Sequence, residues 1–312
     1  MNLELEELHQ QQIKTFELAH KNFDNLNRVI YRSVTFDDFE ISIQYNPDRI
    51  VSTNAKIDKA TLSERKCFLC RENMPADQQG IAYGEKYHIY INPYPIFKQH
   101  FTVPANLHSP QLINGHFEDM LSLAYDYQGY TIFYNGPQCG ASAPDHFHFQ
   151  IAPRHIMPLE KDVEDEKIIH PLIISDYHTI LTSAHYLRKC IVLKASDQQL
   201  LVRLFQQTVA AIGQLVPYAQ EPMFNLLTWF DNCQWTVCLL PRKLLRPWQF
   251  FAEGNDKILF SPGCVDMAGL IIAPRKEDFE RYDQALLHDL FGQVTITDED
   301  WEKLKTVLKS LQ

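Results

Sequence analysis

Apolar and polar side chains alternate from His146 to Ile151, HFHFQI, a period of two that predicts a half-buried β-strand over His146 to Ala152. His146, His148 and Gln150 then share one face, while Phe147, Phe149 and Ile151 point to the other and bury. The same reading gives a charged amphipathic helix from about Glu4 to Asn25, a strand at Asp38 to Asn46 and a loop carrying Cys67 and Cys70. Strands follow at Lys86 to Asn92 and His100 to Pro104, then a helix near Gly115 to Gln128 and a strand at Tyr130 to Asn135. Strand, strand, helix, strand, loop, strand is an antiparallel α+β order.

The second half carries a degenerate echo of this unit. Phe224 to Lys243 can be laid on Tyr130 to Asn135 and on Asp145 to His155, with Cys233 opposite Asp145, Gln234 opposite His146, Thr236 opposite His148 and Cys238 opposite Gln150. Pro241-Arg242 then falls opposite Pro153-Arg154, and a helix at about Ser196 to Leu215 precedes the copy as the Gly115 helix precedes the original. The expected division is a first unit over residues 1–160 and a second over 161–312. Coincidence between two amphipathic strands ending in Pro-Arg is the competing reading. Met267 to Asp283 reads as a buried strand running into an amphipathic helix, whose Arg275 and Lys276 are expected at a solvated helix start. Trp235, Trp248, Phe250 and Phe251 are expected in the core.

At 312 residues, 45% of them hydrophobic, the chain has enough apolar material for one large domain or two. No apolar run approaches the roughly 20 residues that span a bilayer, and the first helix lacks a signal-peptide core, so a cytoplasmic location is expected. Seven cysteines, unevenly spread, fit reduced thiols and metal ligands better than a disulfide framework. The formal charge of −10 argues against nucleic acid as a partner, because phosphate backbones need basic surface. A single nucleotide is less demanding: Lys98, Arg154 and the backbone N–H groups of the loop before His146 are candidates to offset its charge, although either cation is by default a solvated surface residue.

An imidazole on such a strand has an unperturbed pKa near 6.5 and so offers a neutral nitrogen at neutral pH. It can attack phosphorus, forming a phosphoramidate that divides one displacement into two, while Gln150 donates to a phosphoryl oxygen. The loop Asn135 to Asp145, NGPQCGASAPD, supplies glycines and Ser142 for anion contact. A half-buried strand with two incidental histidines is the bland alternative.

At these residues the sequence resembles the histidine-triad superfamily, in the transferase branch where His-x-His-x-Gln replaces three alternating histidines. Asn135-Gly136 and Gly140-Ala141-Ser142 resemble the phosphate loop of diadenosine tetraphosphate phosphorylases and GDP-hexose (GDP-L-galactose) phosphorylases, and are similar to that of galactose-1-phosphate uridylyltransferase. Asn92 to Gln111 resembles the family's paired strands, with His100 and His108 where histidines often stand. The resemblance covers roughly residues 60 to 155. It implies an antiparallel sheet with flanking helices, in two such units of which the second is degenerate, and possible assembly as a homodimer is an expectation from the family alone. It further implies a nucleotidyl transferase or phosphorylase in which His148 becomes nucleotidylated, Gln150 contacts the α-phosphate, and Ser142 and the amides of Gly140 and Ala141 steady the departing phosphate. Asn135 and Gly136 would shape the loop. The substrate would be a nucleoside diphosphate sugar or dinucleoside polyphosphate, with phosphate or a sugar phosphate as acceptor. A hydrolase and a silent nucleotide binder are the rival classes. Gln150 disfavours the first, and retention of loop, nucleophile and glutamine together disfavours the second.

Cys67 and Cys70 can hold a tetrahedral zinc from one tight turn if two further ligands come from elsewhere, and His108 and His146 are the natural candidates. All four positions have a counterpart in the structural zinc site of the uridylyltransferase, which implies a structural Zn²⁺ that fixes His146 and leaves His148 unligated. Two reduced thiols on a loop, or a catalytic zinc bound by both His146 and His148, are the alternatives.

Overall fold

The computed structural model describes residues 2–50, 64–218 and 220–311. Thirteen strands are described, β1 (Ile30–Thr35), β2 (Glu40–Tyr45), β3 (Gly80–Tyr83), β4 (Tyr87–Ile91), β5 (Phe101–Pro104), β6 (Tyr130–Asn135), β7 (His148–Pro153), β8 (Ile169–Ile174), β9 (His178–Ser183), β10 (Ile191–Ala195), β11 (Phe224–Asp231), β12 (Gln234–Pro241) and β13 (Leu270–Ala273). Ten of them form one sheet, in the order β3-β4-β5-β7-β6-β11-β12-β10-β9-β8, with every neighbour antiparallel. Read from either edge, the sheet is the same five-strand pattern twice, joined where β6 pairs with β11.

Registers agree as well as order. Tyr130 faces Pro153 and Phe133 faces Gln150 in the first unit, as Phe224 faces Pro241 and Leu227 faces Cys238 in the second. The echo read from the sequence is thus a structural repeat, with Thr236 at the place of His148. Helices Phe117–Asp126 and Gln198–Gly213 occupy equivalent positions between the third and fourth strands of each unit. The fold is α+β, two like units sharing one sheet. At the seam all six residues of β6 are buried, because a central strand is covered on both faces and reads as a continuous apolar run.

The two faces carry separate cores. Ile132, Tyr134, Phe147, Phe149, Ile151, Phe224 and Leu226 pack with the helices on one side. Phe133, Leu227, Trp229 and Cys238 face the other, where they meet a small sheet, β1-β2-β13, in which β13 runs parallel to β2. That small sheet, formed by residues far apart in sequence, was not foreseen beyond its members β2 and β13.

Several expectations shift. The first helix is two, Asn2–Thr15 and Glu17–Asn25, because Phe16 turns extended (φ −112°, ψ 100°) to bury in a cluster with Ala19, Phe23 and Ile91. The histidine strand starts at His148, because Phe147 bonds sideways: its N–H donates to Ser109 O at 2.7 Å and its carbonyl accepts from Ala105 N–H at 2.9 Å. Trp235 is core, but Trp248 and Phe251 are 54% and 69% exposed, since they lie on a short 3₁₀ turn beyond the end of β12. Arg275 stands at the N-cap position of the helix Lys276–Arg281 without a side-chain capping bond and is paired with Asp278 and Glu277, the acidic groups that suit a helix start.

Candidate active site and metal centre

A cleft of about 490 Å³ opens on the face of β7 opposite its buried phenylalanines. His148, Gln150, Asn135, Gly140, Ala141 and Ser142 line one side of it. Further lining comes from elsewhere in the chain: Arg49 beyond β2, Arg246 beyond β12, and the segment Gly263 to Asp266.

His148 is 5% exposed. Its Nδ1–H donates to the carbonyl of His146 at 2.9 Å, which fixes the tautomer and leaves Nε2 as the lone-pair nitrogen. Burial pushes its pKa down to about 4, with the charge of His146 adding to the effect and the carbonyl bond opposing it, so the ring is neutral at pH 7. Gln150 is oriented by His100. The N–H of Ile96 donates to His100 Nδ1 at 3.2 Å, so His100 carries its proton on Nε2, 2.8 Å from Gln150 Oε1. The Gln150 oxygen is thereby taken, and its NH₂ group is the end left for the cleft. Burial, helped by Arg49, drives the His100 pKa to about 3, so its role as a single donor holds across the working range.

The loop from Gly136 to Phe147 is held by the second unit. Asn135 Oδ1 accepts from Asn225 Nδ2 at 2.9 Å and from Cys264 N–H at 2.6 Å. Gly140 has φ 95°, and a Cβ there would lie 2.5 Å from Gly263 Cα, so only glycine fits. Gly136 is held closely too, since a Cβ would come within 2.9 Å of Phe224 O. Arg242, which the repeat sets opposite Arg154, is fully buried and donates to Asn225 Oδ1 and to the carbonyls of Pro262, Leu244 and Leu245.

Lys98 and Arg154, two cations weighed as nucleotide contacts, do not line this cleft. Lys98 is exposed outside it, and Arg154 lies against the Trp229 ring, 4.3 Å from its centroid, paired with Glu160 and Asp231. Arg154 turns instead toward the buried Glu160. The cations that do line the cleft, Arg49 and Arg246, gave no sequence signal, for they belong to no motif and come from remote segments. Arg49 donates from Nη1 to Tyr94 O at 2.6 Å, and burial lowers its pKa to about 10, partly offset by Asp266. Asp266 accepts from the N–H groups of Gly263 and Ile272, and desolvation raises its pKa to about 6.

Cys67, Cys70, His108 and His146 converge, their ligand atoms all within 4.8 Å of one another. The His146 Nδ1 lies 3.3 Å from Cys67 Sγ and 3.5 Å from Cys70 Sγ, and His108 Nδ1 lies 3.2 Å from Cys70 Sγ. Zn–S and Zn–N bonds of about 2.3 and 2.0 Å set tetrahedral edges of roughly 3.3–3.8 Å, so the four donors match such an ion. His146 Nε2–H donates to Ala105 O at 2.8 Å, turning Nδ1 toward the thiols as an outer-shell bond should. Although burial opposes it, the His146 bond brings the Cys67 thiol down to about 6, whereas burial and the Cys67 charge push Cys70 up to about 11. His148, directed into the cleft, is not among the four.

The chain's relatives agree with this architecture. Against solved structures, the yeast Ap4A phosphorylase Apa2 aligns over 90% of this chain and 97% of its own, with 14% identity and a TM-score of 0.62. The fold is histidine-triad-like. Apa2 in complex with AMP aligns at 16% identity over 91% and 97% of the two chains, and in complex with Ap4A at 14% over 90% and 97%, both with a TM-score of 0.53. A uridylyltransferase aligns more loosely, with a TM-score of 0.40 and 12% identity over 80% of this chain and 92% of that one. Residues 8–153 match the family described as a domain of unknown function, DUF4922, and residues 161–312 match the GDPGP1-like, C-terminal domain. Among curated proteins, none matches the chain. No helix among the described residues is long and apolar enough to cross a membrane.

Proposed function

We propose that this histidine-triad-like protein is a nucleotidyltransferase of the phosphorylase type, acting by double displacement on a nucleoside diphosphate sugar or a dinucleoside polyphosphate. The observation that carries the reading is the state of His148: neutral, tied at Nδ1 to a carbonyl, and open at Nε2 to a cleft it shares with the Gln150 amide. The likeness of fold to the yeast Ap4A phosphorylase Apa2 supports the dinucleotide as donor, and the match of the C-terminal half to a GDPGP1-like family supports the nucleotide sugar.

His148 Nε2 attacks the α-phosphorus; a P–N bond forms as the bond from phosphorus to the leaving phosphate oxygen breaks, and the leaving group departs as an anion. Gln150 Nε2–H donates to a non-bridging oxygen of the transferred phosphoryl, and Ser142 with the N–H groups near Gly140 steadies the departing phosphate. Phosphate or a sugar phosphate then attacks the same phosphorus, the P–N bond breaks, and its electron pair returns to Nε2. Cys67, Cys70, His108 and His146 would hold a structural zinc, whose chemistry is to fix the turn and the position of His146. A division near residue 160 and work in the cytoplasm accompany this reading, and seven free cysteines suit a reducing compartment.

The test is intact-protein mass spectrometry after incubation with a panel of nucleoside diphosphate sugars and dinucleoside polyphosphates, beside His148→Ala. A nucleotide-sized adduct on the wild type alone, stable to alkali and labile to acid, is expected, and phosphate should discharge it. Binding of a donor with no adduct under any condition would refute the covalent mechanism.

A further inference from the structure

The ladder between the last two strands differs between the two copies of the repeat. In the second unit β11 and β12 stay paired to the end, Trp229 facing Thr236, and only Asn232 and Cys233 join them, both in the left-handed region with φ of 47° and 61°. In the first unit the ladder between β6 and β7 stops at Phe133 and Gln150. Continuing the register would set Asn135 opposite His148, yet these two do not pair. The carboxamide of Gln111 lies between them instead. Its Oε1 accepts from the His148 N–H at 2.7 Å, and its Nε2 donates to the carbonyls of His148 at 2.9 Å and Asn135 at 3.0 Å. Gln111 is wholly buried, and its side chain replaces a peptide unit where the strands part.

We infer that Gln111 is a positioning residue for His148, a side-chain rung that holds β6 and β7 apart and fixes the backbone from which the imidazole projects. The inference rests on the reading of His148 as nucleophile. The parting is needed because a ladder closed as in the second unit would leave no room for the loop Gly136 to Phe147. Once the strands part, one N–H and two carbonyls are stranded in a buried place, where an unmet polar group is destabilising. A primary amide carries two N–H donors and a carbonyl acceptor at its tip, which answer all three at once. Gln111 is itself braced, since its N–H donates to Pro144 O at 3.1 Å and its carbonyl lies 3.0 Å from the Tyr134 hydroxyl. Glu221, from the second unit, meets the same hydroxyl at 2.7 Å and accepts from Ile113 N–H at 2.7 Å. The nucleophile's backbone is therefore anchored across the seam.

The test compares wild type with Gln111→Met and Gln111→Glu in single-turnover formation of the His148 adduct, alongside donor affinity and hydrogen exchange at the His148 amide. Gln111→Met should lose exchange protection and slow adduct formation by about 10²-fold, the effect of a misplacement near 1 Å, while donor affinity changes little. Gln111→Glu should recover relative to wild type at matched pH as acid restores a neutral, donating carboxyl, an outcome a merely structural role does not produce. Unchanged adduct rates in a folded variant overturn the inference, as does loss of fold in both variants, which assigns Gln111 to stability alone. Failure of the nucleophile reading is distinct: wild type itself would form no adduct, while the exchange data still report on the rung.

Discussion

Replacing His100 with phenylalanine removes one proton from the site and little else. The new ring keeps the shape that packs near Phe97 and Phe133, 5.4 and 6.0 Å from the present imidazole. Two bonds are lost, from Ile96 N–H to His100 Nδ1 and from His100 Nε2–H to Gln150 Oε1. The first leaves a buried N–H unmet, for a stability loss of about 1–3 kcal/mol. The second frees the Gln150 amide to rotate, so that its oxygen is as free to face the phosphoryl group as its NH₂. A hydrogen bond to a charged oxygen contributes about 1.5–3 kcal/mol, and its loss in the transition state lowers the rate by roughly 10- to 150-fold. The assay is single-turnover nucleotidylation at fixed pH, with circular dichroism to confirm the fold and donor affinity measured separately. A folded His100→Phe protein that forms adduct at the wild-type rate would refute the claim that His100 orients Gln150.

Two further outcomes follow from other parts of the molecule. Native mass spectrometry should find one zinc per chain, absent in Cys67→Ser, whose melting temperature should fall by about 5 °C or more because structural zinc binding contributes several kcal/mol; a metal-free protein of unchanged stability would contradict this. Burial raises the Glu221 carboxyl to about 7 despite its bonds to Tyr134 and Ile113. A folded value above the unfolded one means its contribution is complete below about pH 4 and lost as pH rises through 7, so Glu221→Gln should gain about 2–3 kcal/mol on wild type between pH 5 and pH 8. Equal melting differences at both pH values would show that the carboxyl is not so shifted.

What the sequence made legible was local. Period-two alternation placed Phe147, Phe149 and Ile151 in the core and turned His148 and Gln150 to the other face, and spacing alone matched Thr236 to His148 in the echo. The Cys67, Cys70, His108 and His146 cluster was legible as residue types, since sulfur and imidazole at short spacing carry their chemistry on their surface. Partnerships made by tertiary contact were not. His100 could be named but not its hold on Gln150, because that bond crosses from the residue before β5 to β7. Gln111, one amide in a turn-rich stretch, gave no sign that it would enter a sheet. Arg49 and Asp266 reach the cleft from short helical segments after β2 and before β13, and no periodicity reports the parallel pairing of those two strands. Lys98 and Arg154 drew attention by closeness in sequence to the motif, which is a poor guide where a strand ends and the chain turns away.

The seam between β6 and β11 gives the chain the character of a dimer made permanent. Every residue of β6 is buried, and β11 satisfies the edge that β7 leaves open. A first unit by itself would present that apolar edge to solvent, an invitation to pair with another of its kind. Covalent duplication has enclosed the edge within one molecule, at fixed stoichiometry. It also leaves segments of the second copy, Arg246 and Gly263 to Asp266 among them, as part of the lining of a cleft that the first copy does not enclose alone.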